Sequence, residues 1–448
     1  MPISRRQFLQ RAGLAAATTT IPHPLFRGMV GTAHAAPPDA IIVLVQLEGG
    51  NDGLNTVVPV GASAQRTLYN TLRPNLGIPN NGALAANTLS VDSGGTLLAL
   101  HPTMTGLKTL FDAGDLAVIN GVGYASQSLS HFRSEDVWFG GRPPGTFIDG
   151  WFGRYLDNQF SSADLLSYDA EDALNPMFVC SDCNVLALRQ IDDFVLPDDA
   201  LYPDFAAKKV ALQAAFAVEA DAGQTSGTQL SIGITGDVLL DKLDVYDPIR
   251  ALINGSGSTT WGSHLNGLPG GLATRLRQVA SIMKYDHDYP GTATGARFFH
   301  VRLGGFDNHT NQVNSAANGG PATGTHAGLL DKVSQGLKAF WDDVVDFGWQ
   351  NKVLLVTLSE FGRRGTENGG LGTDHGAAAP HFIIGGQVNG GVYGALPNLG
   401  DLDINGNLKY GIDFRSVYAT VIDKWLATPG THPAILPGGP YPTLGFLT

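Results

Sequence analysis

Three apolar runs in this chain each lead into a glycine-containing turn that carries an acid, and this pattern limits the fold more than any other feature. IIVLVQ, from Ile41 to Gln46, leads into LEGGND and Asp52; ARFFHVRL leads into GGFDNH, with Asp307 and His309; KVLLVTL leads into SEFGRR, with Glu360. Apolar, β-branched runs of this length read as buried strands. Between the second and third, LLDKVSQGLKAFWDDVVDFG sets Leu330, Val333, Leu337, Trp341 and Val344 on one helical face. Strand, helix, strand at this spacing predicts a parallel sheet with crossover helices. Ligands bind beyond the carboxyl ends of the strands in such sheets. The acids are therefore either turn residues or parts of one site.

The remaining chain fits a single α/β domain over residues 36–448. Helices are expected at Ala64 to Leu72 and at His101 to Asp112, then a strand, LAVINGVG, and a polar segment, YASQSLSHFRSEDVWFGG. GWFGRYLDN, Gly150 to Asn158, reads as helix again. From Phe160 to about Tyr289 the pattern is less regular, with helical stretches DFAAKKVALQAAFAVEA and GLATRLRQVASIMKYDHD, and residues 160–289 are read as an insertion or cap. The apolar run HFIIGG and the helix FRSVYATVIDKWLA close the domain. With 43% hydrophobic and 15% charged residues there is enough apolar material for a large core, and no proline-rich or charged linker divides it.

The amino terminus reads as a leader. SRRQFLQ places twin arginines before a mildly apolar run, and Ala33, His34 and Ala35 form an A-x-A cleavage site, so residues 1–35 are read as a twin-arginine signal peptide. The expected product, beginning at Ala36, meets the twin-arginine export machinery and works in the periplasm or outside the cell. Losing Arg5, Arg6, Arg11 and Arg27 lowers the formal net charge by four, from -12 to -16. So acidic a protein is a poor nucleic-acid binder and suits divalent cations. No other run is long and apolar enough to span a bilayer. The two cysteines, Cys180 and Cys183, read first as a local disulfide, ahead of a redox pair or half a zinc site that lacks its second pair.

Collected from the loops, Asp52, Asp307, His309, Glu360, Asp374 and His375 form a candidate metal-ligand set, with Ser130 and His131 in another strand-end loop. Carboxylates mixed with imidazoles suit zinc or manganese ahead of calcium or magnesium. Each residue alone also has a plain structural reading: an Asp after a strand caps a helix or shapes a turn, and Glu360 can pair with Arg363 or Arg364. Repetition over several loops favours a shared site.

The ordered motifs SRRQFL, QLEGGNDGLNTVVP, VGYASQSLSHFRSEDVW, GWFGRYLD, GGFDNHTNQ, TLSEFGR, ENGGLGTDHG and GGVYG resemble the bacterial exported proteins grouped as the domain of unknown function 1501 family. The resemblance implies the fold of the alkaline phosphatase and sulfatase superfamily: a doubly wound, mostly parallel sheet with helices on both faces and metals at the carboxyl ends of the strands. It implies that Asp52 is the first-strand aspartate on metal, that Asp307 and His309 form a metal loop, and that His375 is the late histidine before an apolar strand. Glu360 stands where an Asp-His pair is usual and is followed by Phe361, a departure. Asp374 either replaces a missing ligand or orients His375. Ser130, with His131 beside it, takes the place of the nucleophile, Ser128 and Ser126 standing behind it; a helix cap is its alternative role. Arg133, Arg363 and Asn51 are expected to meet an anionic ester, free or borne on a polymer. The function implied is an exported metal-dependent hydrolase of phosphate, sulfate or related esters. The alternative is a non-catalytic exported binding or assembly protein that keeps the fold and a structural metal.

Overall fold

The structure, a computed structural model, describes residues 40–145, 147–160, 165–181, 183–191, 205–219, 240, 243–250, 262–290, 294–427 and 429–447. The signal peptide read over residues 1–35 and parts of the 160–289 segment lie outside the described residues.

The strands in chain order are β1 (Ile41–Leu47), β2 (Val57–Pro59), β3 (Thr88–Val91), β4 (Leu97–Leu100), β5 (Leu116–Gly123), β6 (Leu165–Asp169) and β7 (Asn184–Ala187). They continue as β8 (Phe298–Leu303), β9 (Val353–Leu358), β10 (Gly362–Arg363), β11 (His375–Gly376), β12 (Ala379–Ile384), β13 (Gly391–Tyr393) and β14 (Ile412–Asp413). Among the described residues the main sheet has the order β13-β5-β12-β9-β1-β8-β6-β7, with β14 also on β5. β2, β4 and β3 form a small separate sheet, and β10 pairs with β11.

The three strands expected to share a sheet do so as neighbours, β1 lying parallel between β8 and β9. Their register sets Gln46 beside both Arg302 and Leu358, so all three chains leave the sheet at one edge. β6, β7, β13 and β14 also run parallel to the strands they pair with. β12 differs: it is antiparallel to both β9 and β5. This reversal positions the site, because a strand that runs backward begins where its neighbours end. The segment entering β12, which holds His375, is thereby returned to the edge from which β1, β8, β9 and β5 depart.

Alternate residues of β1 serve two cores. Ile41, Val43, Val45 and Leu47 face one, packed with helices Thr105–Ala113, Gly271–Asp288 and Thr325–Asp346; Ile42 and Leu44 face the other, packed with helices His131–Gly140, Trp151–Gln159 and Phe414–Val421. Helices on both faces of a mostly parallel sheet make this the doubly wound α/β class, and they explain why β1 is a nearly continuous apolar run rather than alternating. Leu330, Val333, Leu337, Trp341 and Val344 are all buried, as the helical pattern required. The helix expected from His101 begins at Thr105, and it ends against Gly114, whose φ of 88° supplies the left-handed cap. Of the segment read as an insertion, β6 and β7 extend the sheet beyond β8 and the helix Gly271–Asp288 lies in the first core.

Candidate metal centre

The loops that leave the shared edge are held together by Arg363. Its side chain is 1% exposed. Nε donates to the Gly50 carbonyl at 2.8 Å and Nη1 to that of Thr373 at 2.9 Å. Nη2 reaches the carbonyls of Gly49 and Phe306 and the Asp307 carboxylate, the last at 2.7 Å. One guanidinium thus ties the loops after β1 and β8 and the strand-entry loop before β12. Backbones approach closely here, and Gly49 allows it: at φ 116° it sits in the left-handed region, and a Cβ there would lie 2.4 Å from the Asp307 amide nitrogen.

On this scaffold His131, Asp307 and His375 each offer a ligand atom, and these atoms lie within 4.8 Å of one another. His375 Nε2 is 3.0 Å from Asp307 Oδ1 and 2.9 Å from His309 Nε2. His309 Nε2 is itself 3.0 Å from Asp307 Oδ1, and His131 Nε2 is 3.5 Å from Asp307 Oδ2. Three imidazoles therefore turn Nε2 toward one carboxylate.

The far nitrogens explain this aim. His375 Nδ1 is 2.7 Å from the Leu129 carbonyl, which only accepts, so the hydrogen lies on Nδ1 and the neutral ring keeps a lone pair at Nε2. His131 Nδ1 lies 2.8 Å from Glu360 Oε1, and His309 Nδ1 faces Asp374 at 3.5 Å. A metal-binding histidine commonly has this arrangement, one nitrogen fixed by an oxygen acceptor and the other presented.

Charge follows the same geometry. The hydrogen bond that His131 donates to Glu360 is the main reason that the His131 pKa is raised. Burial pushes Asp307 upward, yet Arg363, through its hydrogen bond and its charge, outweighs it and holds the carboxyl down at about 2. Asp374 is also held below the usual range, chiefly by the Asn368 amide. Asp307 is therefore an anion at neutral pH.

The other expected site residues take different places. Glu360 is buried, and its Oε1 accepts from the Gly49 amide at 2.8 Å as well as facing His131; it stands behind the imidazole. Asp52 lies deeper, 2% exposed, with Arg73 Nη1 at 2.5 Å from Oδ2 and Gln312 Nε2 on the same oxygen. Burial raises its pKa and Arg73 more than offsets this, so the net shift is downward. Gln312 then meets Thr373, whose carbonyl takes Arg363, so Asp52 supports the centre from below through a chain of hydrogen bonds. Asn51 is fully buried, accepting from Thr56 Oγ1 and facing His326 Nε2, and Arg363 is equally enclosed; both differ from the expectation of substrate contact. Arg133 is exposed but reaches Asp136 and the Gly145 carbonyl.

Ser130 is the exposed residue before helix His131–Gly140, and its side chain makes no cap hydrogen bond. Its amide instead donates to Ser128 Oγ at 3.3 Å. Ser126 has a φ of 56°. Sequence reasoning missed Arg73 and Gln312, which are far from Asp52 along the chain and carry no local motif. It also missed Glu135, one turn beyond His131, whose carboxyl burial and the like charges of Glu360 and Glu48 push up to about 7.

Residues 292–435 match the family described as "Protein of unknown function (DUF1501)". The matched stretch holds Asp307, His309, Glu360, Arg363, Asp374 and His375, so the family resemblance is present over the part of the chain that builds most of the centre; Asp52 and His131 precede it. No curated protein matches the sequence. Among solved structures the chain is similar to a phosphonate monoester hydrolase from Silicibacter pomeroyi, at 12% identity and TM-score 0.36, covering 90% of this chain and 77% of that one. It is similar to a sulfatase from Pseudoalteromonas sp. at 10% identity and TM-score 0.34, covering 86% and 67%. The lipoteichoic acid synthase LtaP from Listeria monocytogenes gives 11% identity and TM-score 0.31, covering 84% and 76%. Likenesses this distant carry no argument about activity.

Proposed function

We propose that this chain is an exported, metal-dependent hydrolase of phosphate, sulfate or related anionic esters. One observation carries the reading: His131, Asp307 and His375 present donor atoms within 4.8 Å of one another at the sheet edge where the strand-end loops converge. The donor set fits a divalent transition cation, since two imidazole nitrogens and one carboxylate suit zinc or manganese. His309 is the fourth candidate donor. Glu360 and the Leu129 carbonyl orient the ligands, and Arg363 holds Asp307 in place.

A bound cation would supply charge stabilisation for an anionic ester and its leaving group. The chain's own part is positional. Ser130 lies at the start of a helix of 10 residues whose free amide groups favour an anion, and its hydroxyl is committed to no cap. It is the nucleophile in this reading, with Ser128 the next candidate. His131, its Nδ1 fixed by Glu360, is kept as a ligand and moves no proton in this reading. Export by the twin-arginine route rests on SRRQFL and the A-x-A site. Among the described residues no helix is long and apolar enough to cross a membrane.

A second reading, a non-catalytic binding protein with a structural ion, is favoured by the commitment of Asp52 to Arg73. A panel of phosphate, phosphonate and sulfate esters, assayed with metal-loaded protein and again with chelator, decides between them. Hydrolysis that chelator abolishes supports the enzyme. A metal-loaded protein that cleaves none of the panel supports the binding protein.

A further inference from the structure

Cys180 and Cys183 form a disulfide, and a carboxylate stands against it. Asp157, on helix Trp151–Gln159, brings a ligand oxygen within 4.8 Å of both sulfurs. The placement is held from both sides. Trp151, Phe152, Tyr155 and Leu156 of that helix are buried, and so are Met177 and Phe178 just before the cysteines. The Ser181 amide donates to Asp157 Oδ2 at 2.8 Å, fastening the carboxylate to the cysteine loop. Gly153 permits the contact, since a Cβ there would lie 2.2 Å from the Val179 carbonyl oxygen. None of these residues belongs to the centre at the sheet edge.

A disulfide has no need of a third donor. In the reduced state a fixed carboxylate disfavours both thiolates, unless a cation lies among the three groups. We propose that Cys180, Cys183 and Asp157 form a redox-gated site for a thiophilic divalent cation such as zinc, closed by the disulfide and opened by a dithiol reductant. In opening, the reductant's two thiols become its own disulfide and the Cys180–Cys183 bond takes up two electrons and two protons. Binding then releases those two protons to solvent and leaves two thiolates and one carboxylate on the cation. The sulfurs must part to about 3.7 Å, the separation that zinc–sulfur bonds of about 2.3 Å require in a tetrahedron. Rotation of the two side chains over a loop of sequence separation 3 supplies that movement.

The test uses the full chain, with cobalt(II) as spectroscopic probe and zinc for stoichiometry, before and after reduction by a dithiol. The reduced protein is expected to gain one equivalent of zinc over the oxidised protein and to show the thiolate-to-cobalt charge-transfer band. The double variant C180S/C183S should lose both. Asp157→Asn should weaken the extra site at least tenfold while its oxidised form keeps the wild-type Tm, which shows that the fold survives. Reduced wild type that gains no metal overturns the proposal. So does a gain that persists in C180S/C183S, or one that Asp157→Asn leaves unchanged. These outcomes are independent of ester hydrolysis and of the His131, Asp307 and His375 centre.

Discussion

Replacing Arg73 by Met should be among the most damaging single changes beneath the centre. Arg73 and Asp52 are buried, with side chains 0% and 3% exposed and 2.5 Å between charged atoms. At an effective dielectric constant of about 20, charges so close attract by about 6–7 kcal/mol, most of which offsets the desolvation of the two ions. Removing only the cation leaves a carboxylate with a single amide donor, Gln312, and frees the carbonyls of Arg364 and Gly365 that Arg73 also binds. The expected loss is about 3–5 kcal/mol, the range for an orphaned buried charge. The double variant R73M/D52N should recover a measurable part of it, because no charge remains buried. The assay is equilibrium urea unfolding of the single and double variants. The pH dependence follows the same pair: the folded Asp52 pKa lies below the unfolded value of about 3.9, so its contribution is present above pH 4 and lost as pH falls through the folded value. Asp52→Asn should therefore flatten the acid limb below about pH 4. If Arg73→Met costs under about 1 kcal/mol, or if the double variant is no more stable than the single, the ion-pair account is wrong.

Four further outcomes follow from the geometry. Glu360→Gln, which weakens the hold on His131 Nδ1, should lower cation affinity by about 10–100-fold, read by competition with a chromogenic chelator. Ser130→Ala should change stability by less than about 0.5 kcal/mol, because the hydroxyl caps nothing, yet abolish ester turnover; unchanged turnover would pass the role to Ser128. Burial lowers His101 to about 3 and His326 and His381 to about 4, so the stability that each contributes is present above the unfolded value of about 6.5 and is lost as pH falls below it, by about 1.4 kcal/mol per pH unit for each. Substituting His381 by Phe should make the fall in Tm between pH 6.5 and 4.5 shallower. Because Glu135 binds its proton more tightly when folded, its stabilising contribution is lost as pH rises toward about 7, and Glu135→Gln should raise Tm at pH 8 relative to wild type and not at pH 4.

Local pattern made the three central strands readable. β1, β8 and β9 are mostly apolar because both faces are covered, and the acids after them, Asp307 and Glu360, were picked out by their position past a strand end. The direction of β12 was not readable. HFII carries the same apolar signal whichever way it runs, and only pairing with β5 and β9 shows that it is antiparallel and so returns His375 to the common edge. Nor does sequence spacing separate a ligand from the residue that steadies it. Asp52 and Asp307 look alike as acids past strands, yet Arg73 claims one in the interior and Arg363 pins the other where its side chain is still 45% exposed. His131 was read as a companion of Ser130, and its place beside Asp307 depends on a contact with Glu360 at a separation of 229 residues. Long-range hydrogen bonds of this kind leave no periodicity in a sequence.

The central claim is that His131, Asp307 and His375 hold one divalent cation. Elemental analysis of purified wild type alongside His131→Ala, Asp307→Asn and His375→Ala, each paired with a thermal melt with and without added zinc or manganese, tests it most directly. The account predicts that wild type binds the cation stoichiometrically and gains Tm from it, since a ligand bound only by the folded state stabilises that state. Each variant should lose the bound cation and the gain while its metal-free Tm stays within a few degrees of metal-free wild type. Cation content and metal-dependent stabilisation that persist in all three variants would contradict it.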